Sequence, residues 1–231
     1  VGAEELRSLQ AQGGDHLDMG VEVLFAADAG LGRVVTLGLD PKAGTLRVLS
    51  HVELPREWFL RSMAFHPTAR VDPDKELFLL KEEEEEGEGM AAGDWGRDSV
   101  NRGRSRRQLS SDIYVGGDNS TIGTSGAKLR AMYVSLQEND GFAVFLYDPI
   151  TGRARLQQVK QYSNGCGSAA EIKVSPDLLV LSCRKQCTLQ VSKLDPATGL
   201  VLEQRATVPS DGMTPRGFDI TAARGGGFVV V

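Results

Sequence analysis

Cysteine, histidine and aromatic residues are all scarce in this sequence: three Cys, three His and 6% Phe, Trp and Tyr among 231 residues. Cys166, Cys183 and Cys187 are an odd, sparse set whose spacings match neither a disulfide framework nor a zinc site. They point to a reducing compartment and a cytoplasmic location, with Cys183 and Cys187 as packed thiols at a strand edge. His16, His51 and His66 offer no close ligand pair, so no metal is read, and His66 before Pro67 reads as a turn residue. Neither a phosphate loop nor a G-x-S-x-G element is present, and no cofactor is read. Positive charge is also short, with Lys+Arg 26 against Asp+Glu 31 and a net charge of -5, which gives a nucleic-acid backbone no reason to bind. No run approaches the roughly 18 to 20 apolar residues that a membrane span needs, and residues 1–12 are too polar for a signal-peptide core. What remains is a soluble chain of one domain.

Strand signals are plentiful. Short apolar or alternating runs separated by turn residues cover 23–27, 33–39, 45–50, 77–80, 131–136, 142–147, 154–160, 171–174, 178–182, 188–194, 201–208 and 217–221, an all-β pattern. The only hint of a helical turn is near Glu4, Glu5 and Leu6. The chain starts at Val1 without Met and stops in the β-branched run 228–231, so it reads as a piece of a larger fold.

A repeat organises these strands. Asp40-Pro41-Lys42-Ala43-Gly44, Asp148-Pro149-Ile150-Thr151-Gly152 and Asp195-Pro196-Ala197-Thr198-Gly199 are one D-P-x-x-G turn, each between two strands. Asp bonds the backbone just ahead of it, Pro presets φ, and Gly takes the positive φ that closes the turn. The second and third copies lie 47 residues apart (195 minus 148), close to the period of a four-stranded propeller blade. The first gap, 108 residues (148 minus 40), is about one period plus an insertion. That insertion, 82–112, is a run of Glu, then small polar residues, then a segment with five Arg at 97–107. It cannot bury enough apolar surface to offset the entropy of ordering it, and reads as a solvated charged loop. Without it about 180 residues remain, about four blades of roughly 40 to 45 residues. The ring would then be completed by missing sequence or a partner chain.

A second repeated element aligns Arg61, Ala170 and Arg216, and likewise Ser62, Glu171 and Gly217. Its copies are Leu60-Arg61-Ser62-Met63-Ala64-Phe65-His66-Pro67, Ala169-Ala170-Glu171-Ile172-Lys173-Val174-Ser175-Pro176 and Pro215-Arg216-Gly217-Phe218-Asp219-Ile220-Thr221. If these open the innermost strands of successive blades, Arg61, Glu171 and Arg216 converge at one end of the channel. Taken alone, Arg61 and Arg216 suit structural arginines on strand-end carbonyls. Glu171 fits a paired structural carboxylate as well as a functional one, Arg184 fits an exposed strand end, and Trp58 and Phe59 fit core or rim packing.

At these residues the sequence resembles the β-propeller lactonase family, which includes bacterial 6-phosphogluconolactonases and fungal carboxymuconate cyclases. The carrying segments are 24–34, like a strand followed by D-L-G-x-D-R; 61–67, like P-R-H-L-A-F-H-P; 170–177, nearly A-E-I-R-V-S-P-D; Cys183-Arg184, like N-R; and 214–218, like T-P-R-x-F. The resemblance spans most of residues 20–231. It implies a seven-bladed propeller with its site on one face of the channel, where Glu171, Arg184 and Arg216 are catalytic and Arg61 and Ser62 bind substrate. Arginine donors suit a developing oxyanion and an acidic substituent, and a carboxylate suits activation of water. The implied partner is a small acidic sugar lactone such as 6-phosphogluconolactone, with carbohydrate metabolism as the setting. A carboxymuconate-type cycloisomerase and a non-catalytic binding propeller are the alternatives. Three departures from the family pattern bear on the choice: Ser62 replaces a His, Cys183 replaces an Asn, and two residues are missing after Asp177. A hydroxyl is no acid or base near neutral pH without another base.

Overall fold

The computed structural model describes residues 22–72, 127–162, 165–222 and 228–230. The turn read near residues 4–6, the strand at 77–80 and the charged insertion 82–112 lie outside the described residues. The rest is four antiparallel sheets following one another along the chain. The first holds β1 (Glu22–Asp28), β2 (Arg33–Asp40) and β3 (Thr45–Glu53). The second holds β4 (Leu60–Phe65), β5 (Arg130–Leu136), β6 (Gly141–Tyr147) and β7 (Ala154–Gln161). The third holds β8 (Ala169–Val174), β9 (Leu178–Cys183), β10 (Thr188–Leu194) and β11 (Val201–Pro209), and the fourth pairs β12 (Ile220–Ala222) with β13 (Phe228–Val230). This is part of a β-propeller, about four blades of it. The last expected strand, 217–221, runs from Ile220 to Ala222 and pairs with Phe228–Val230.

Chain order equals spatial order in the two complete blades, and their first strands, β4 and β8, pack side by side. The second blade is buried on both faces. Along β5, Ala131 and Tyr133 enter a core shared with the third blade, while Met132, Val134 and Leu136 enter a core shared with the first. In β6, Phe142, Val144 and Leu146 alternate with Ala143, Phe145 and Tyr147 in the same way. A strand with a core on each side has no polar face, hence the continuous apolar runs there. β11, by contrast, is exposed along nearly its whole length.

The D-P-x-x-G turns are nearly superposable. Asp40, Asp148 and Asp195 each accept a backbone N–H two residues on through Oδ1, at 2.9, 2.8 and 2.8 Å. Their carbonyls accept from the turn glycine at 2.8, 2.9 and 2.7 Å, with Gly44, Gly152 and Gly199 at φ of 64°, 70° and 76°. What differs is the neighbour. A Cβ on Gly152 would lie 2.6 Å from Thr36 of the preceding blade, and one on Gly199 would lie 2.6 Å from Ala131 and 2.9 Å from the Tyr133 hydroxyl. That hydroxyl donates to the Gly199 carbonyl at 2.6 Å. A Cβ on Gly44 would have nothing within 4 Å among the described residues.

His66 is structural. Its Nδ1 accepts the amides of Thr68 and Ala69 at 3.2 and 2.8 Å, which leaves Nε2–H to donate to the Pro176 carbonyl at 2.9 Å. It thus ties the end of β4 to the turn after β8. Beyond it, Val71 and Leu129 exchange backbone hydrogen bonds of 2.9 and 2.8 Å.

One expectation is overturned. Cys166 and Cys183 form a disulfide, with Cα atoms 4.8 Å apart and both residues fully buried, and only Cys187 is a free thiol. Cys183 ends β9 opposite Ala169, and Cys166 lies just before that residue, so strand pairing brings together sulfurs 17 residues apart in sequence. The reading of reduced, merely packed thiols was drawn from spacing alone, which does not see this pairing.

Two measurements test the packing. Gly44→Ala should lose about 1 to 2 kcal/mol for a left-handed alanine, while Gly152→Ala and Gly199→Ala should lose roughly 1 to 3 kcal/mol more from overlap with the neighbouring blade, as read by urea unfolding. Burial is the main cause that lowers the His66 pKa below 6.5, with Arg70 acting in the same direction and the Pro176 bond and Asp195 opposing it. The unfolded chain therefore takes up the proton first. The contribution of His66 should be complete above pH 6.5 and diminish as the pH falls through the folded pKa, so the acid-side fall in Tm should be shallower in His66→Gln.

Candidate functional site

The inner strands begin alike. The ladder between β4 and β5 slips between Leu60 and Met63, and that between β8 and β9 slips between Ala169 and Ile172. Arg61-Ser62 and Ala170-Glu171 therefore occupy the same β-bulge in successive blades, as the alignment of the two segments required. Bulges re-aim side chains at strand ends, where they interrupt the ladder. The amides so released are met alike: Ser62 N–H donates to Ser135 Oγ at 2.9 Å, and Glu171 N–H to Ser182 Oγ at 3.0 Å. Immediately before each inner segment stands a residue with positive φ: Phe59 at 47°, Ser168 at 79° and, in the third copy, Thr214 at 55°. A left-handed kink followed by a bulge is the local device that presents Arg61 and Glu171.

Three of the expected residues share one field. Burial lowers the pKa of Arg184, and the positive charges of Arg61 and Arg216 lower it further, against the opposing charge of Glu138. Arg61 Nη1 donates to Gln137 Oε1 at 2.8 Å, and Gln137 Nε2 donates in turn to Glu138 Oε1 at 2.8 Å. Arg184 Nη2 donates to Ser168 Oγ, while its buried Nε has no hydrogen-bond partner among the described residues. Arg61 and Arg216 are exposed and Arg184 is half-buried. Clustered guanidiniums with an unused donor favour an anion.

Glu171 is half-buried, and its carboxylate pairs with Lys173, Nζ to Oε1 at 3.4 Å. The structure thus gives Glu171 a cationic partner on its own strand. Ser62 is held through its backbone, with the neighbouring Arg61 side chain reaching Gln137. Sequence reasoning missed Lys173, Gln137, Glu138 and Ser168. Lys173 had a signal, since residues two apart on a strand share a face. Gln137 had another: it lies 47 residues before Arg184, one blade period away.

Among the described residues, no group of three or more His, Cys, Asp or Glu could hold a metal ion, and no helix is long and apolar enough to cross a membrane.

A family model described as lactonase, 7-bladed β-propeller, matches residues 16–231. Among solved structures, the chain is similar to a protein from Bacteroides uniformis provisionally named a 6-phosphogluconolactonase, at 15% identity and a TM-score of 0.53, over 87% of this chain and 41% of that one. It is also similar to a protein from Lactobacillus plantarum, at 16% identity and a TM-score of 0.52, over 85% of this chain and 41% of that one. At such identities the likeness concerns the fold. The chain spans about two fifths of the length of either structure. No curated protein sequence matches it.

The bulges make a prediction of their own. Ser135→Ala removes the acceptor for Ser62 N–H and a donor to the Ala170 carbonyl, at 2.9 and 2.7 Å, both in or beside the two bulges. It should cost about 1 to 3 kcal/mol by denaturant unfolding, and Ser182→Ala, which frees the Glu171 amide alone, should cost less.

Proposed function

The chain belongs to the lactonase family of seven-bladed β-propellers, and from that premise we propose that it hydrolyses an acidic sugar lactone, 6-phosphogluconolactone being the substrate that suits the site. The observation that carries this reading is the shared field of Arg61 on β4, Arg184 directly after β9 and Arg216 in the segment before β12. In the proposed reaction water attacks the lactone carbonyl, the ring C–O bond breaks, and a hydroxy acid leaves. Glu171, oriented by Lys173, takes the proton of the attacking water and gives it to the ring oxygen as the C–O bond breaks. Arg184 and Arg216 stabilise the oxyanion that develops, and Arg61, with the neighbouring Ser62 position, binds the acidic substituent. In this reading side chains carry the chemistry, and carbohydrate metabolism is its proposed setting.

The cytoplasmic location expected from the cysteine count has the Cys166–Cys183 disulfide against it. Such bonds persist mainly in oxidising compartments, and we propose one as the protein's location. Ser62, where the family carries a His, favours a second reading: a propeller that binds an acidic ligand without turning it over.

Full-length protein should consume 6-phosphogluconolactone above the spontaneous rate, followed by acid release at constant pH. Glu171→Gln and Arg216→Ala should each lower kcat/KM by about 100-fold or more. No acceleration over the spontaneous rate would remove the hydrolase reading, and ligand binding without turnover would establish the second.

A further inference from the structure

The disulfide lies next to the candidate site in a way that general stabilisation does not require. Cys183 directly precedes Arg184, and Cys166 stands two residues before Ser168, the side chain to which Arg184 donates. The two segments run together: Arg184 N–H donates to the Ser168 carbonyl at 3.1 Å and Lys185 N–H to the Gly167 carbonyl at 2.8 Å. In the preceding blade the same pair of bonds runs from Gln137 to Phe59 and from Glu138 to Trp58, at 2.9 and 3.1 Å. Ser168 therefore corresponds to Phe59, Gly167 to Trp58 and Cys166 to Glu57.

That correspondence shows what the disulfide replaces. In the second blade the kinked segment before the inner strand is anchored by Trp58, which is buried at 6% exposure. In the third blade the corresponding residue is Gly167, which has no side chain to bury. A Cβ there would lie 2.8 Å from the Lys185 Cβ, so a larger anchor has no room. The segment is also costly to hold at Ser168, which is no glycine and yet has a φ of 79°. Besides the two backbone bonds, its ties include Gly165 N–H to the Tyr162 carbonyl, at 2.8 Å, Ser168 N–H to Asp140 Oδ1, at 2.9 Å, the bond from Arg184 to Ser168 Oγ, and the Cys166–Cys183 bond.

We propose that the Cys166–Cys183 disulfide, acting through Ser168, positions the Arg184 guanidinium for the anionic substrate, a role that rests on the lactone-hydrolase reading above. The bond is a permanent strap and not a switch, because both cysteines are fully buried and thiol exchange requires access to a sulfur. Ser168 and the two cysteines are positioning residues; Arg184 is the group that meets substrate.

The test uses full-length protein as wild type, Cys166→Ala/Cys183→Ala, Ser168→Ala and the triple variant. The strap predicts that the double variant and Ser168→Ala both raise KM for 6-phosphogluconolactone several-fold, toward the roughly 100-fold loss in kcat/KM that a misplacement of about 1 Å can cause. Ser168→Ala should do so with a smaller loss of Tm than the double variant, and the triple variant should be no worse than the double, because both changes act through Arg184. Hydrogen exchange at the Arg184 and Lys185 amides, which needs no substrate, should speed up in the double variant. A double variant that loses Tm but keeps the wild-type KM, or a triple variant whose effects multiply, overturns the proposal. Unchanged exchange overturns it as well. If wild type hydrolyses no lactone, the functional reading fails by itself, and the exchange rates still decide whether the disulfide holds Arg184 in place. If the double variant does not fold, Ser168→Ala with an unchanged KM is sufficient to reject the strap.

Discussion

One buried hydroxyl joins the two inner strands on which the candidate site is built. Ser135 Oγ accepts the Ser62 amide and gives its single proton to the Ala170 carbonyl, so a bulge in one blade is bonded through one oxygen to a bulge in the next. A bulge releases backbone groups from the ladder, and in a buried place these must find partners. Serine is small enough to sit between the strands and has both a donor and acceptor lone pairs. The spacing between Arg61-Ser62 and Ala170-Glu171 follows from that oxygen, and with it the separation of the side chains these segments present.

The blades are held together by equally local means. Each D-P-x-x-G turn completes its own internal bonds, and in the second and third copies the glycine lies against the preceding blade. Gly199 lies against Ala131 and Tyr133, and Gly152 against Thr36. The second blade, with a core on each side, has almost no solvated surface in β5 and β6. Stability in this architecture therefore comes from neighbours in sequence order, in the manner of a repeat.

What could be read from the sequence was whatever is set by short-range bonding. The Asp-to-amide bonds at Asp40, Asp148 and Asp195 need only residues two apart, so the turns and their 47-residue period were visible, and the propeller with them. The match of Arg61-Ser62 to Ala170-Glu171 was visible because the apolar residues after each pair keep a common spacing. The disulfide was not, because its partners meet only through the pairing of β8 with β9. The pairing of Glu171 with Lys173 and the donation from Arg184 to Ser168 were equally out of view, since each depends on how a kink or bulge turns a side chain.

The bridge between Val71 and Leu129 has a consequence for how the second blade is held. Two reciprocal hydrogen bonds pair the chain just outside the inner and second strands of the second blade. With them the blade carries a clasp of its own beyond the end of β4, opposite the bulge at Arg61-Ser62, so this pair of strands is pinned on both sides of the stretch from Met63 to Phe65.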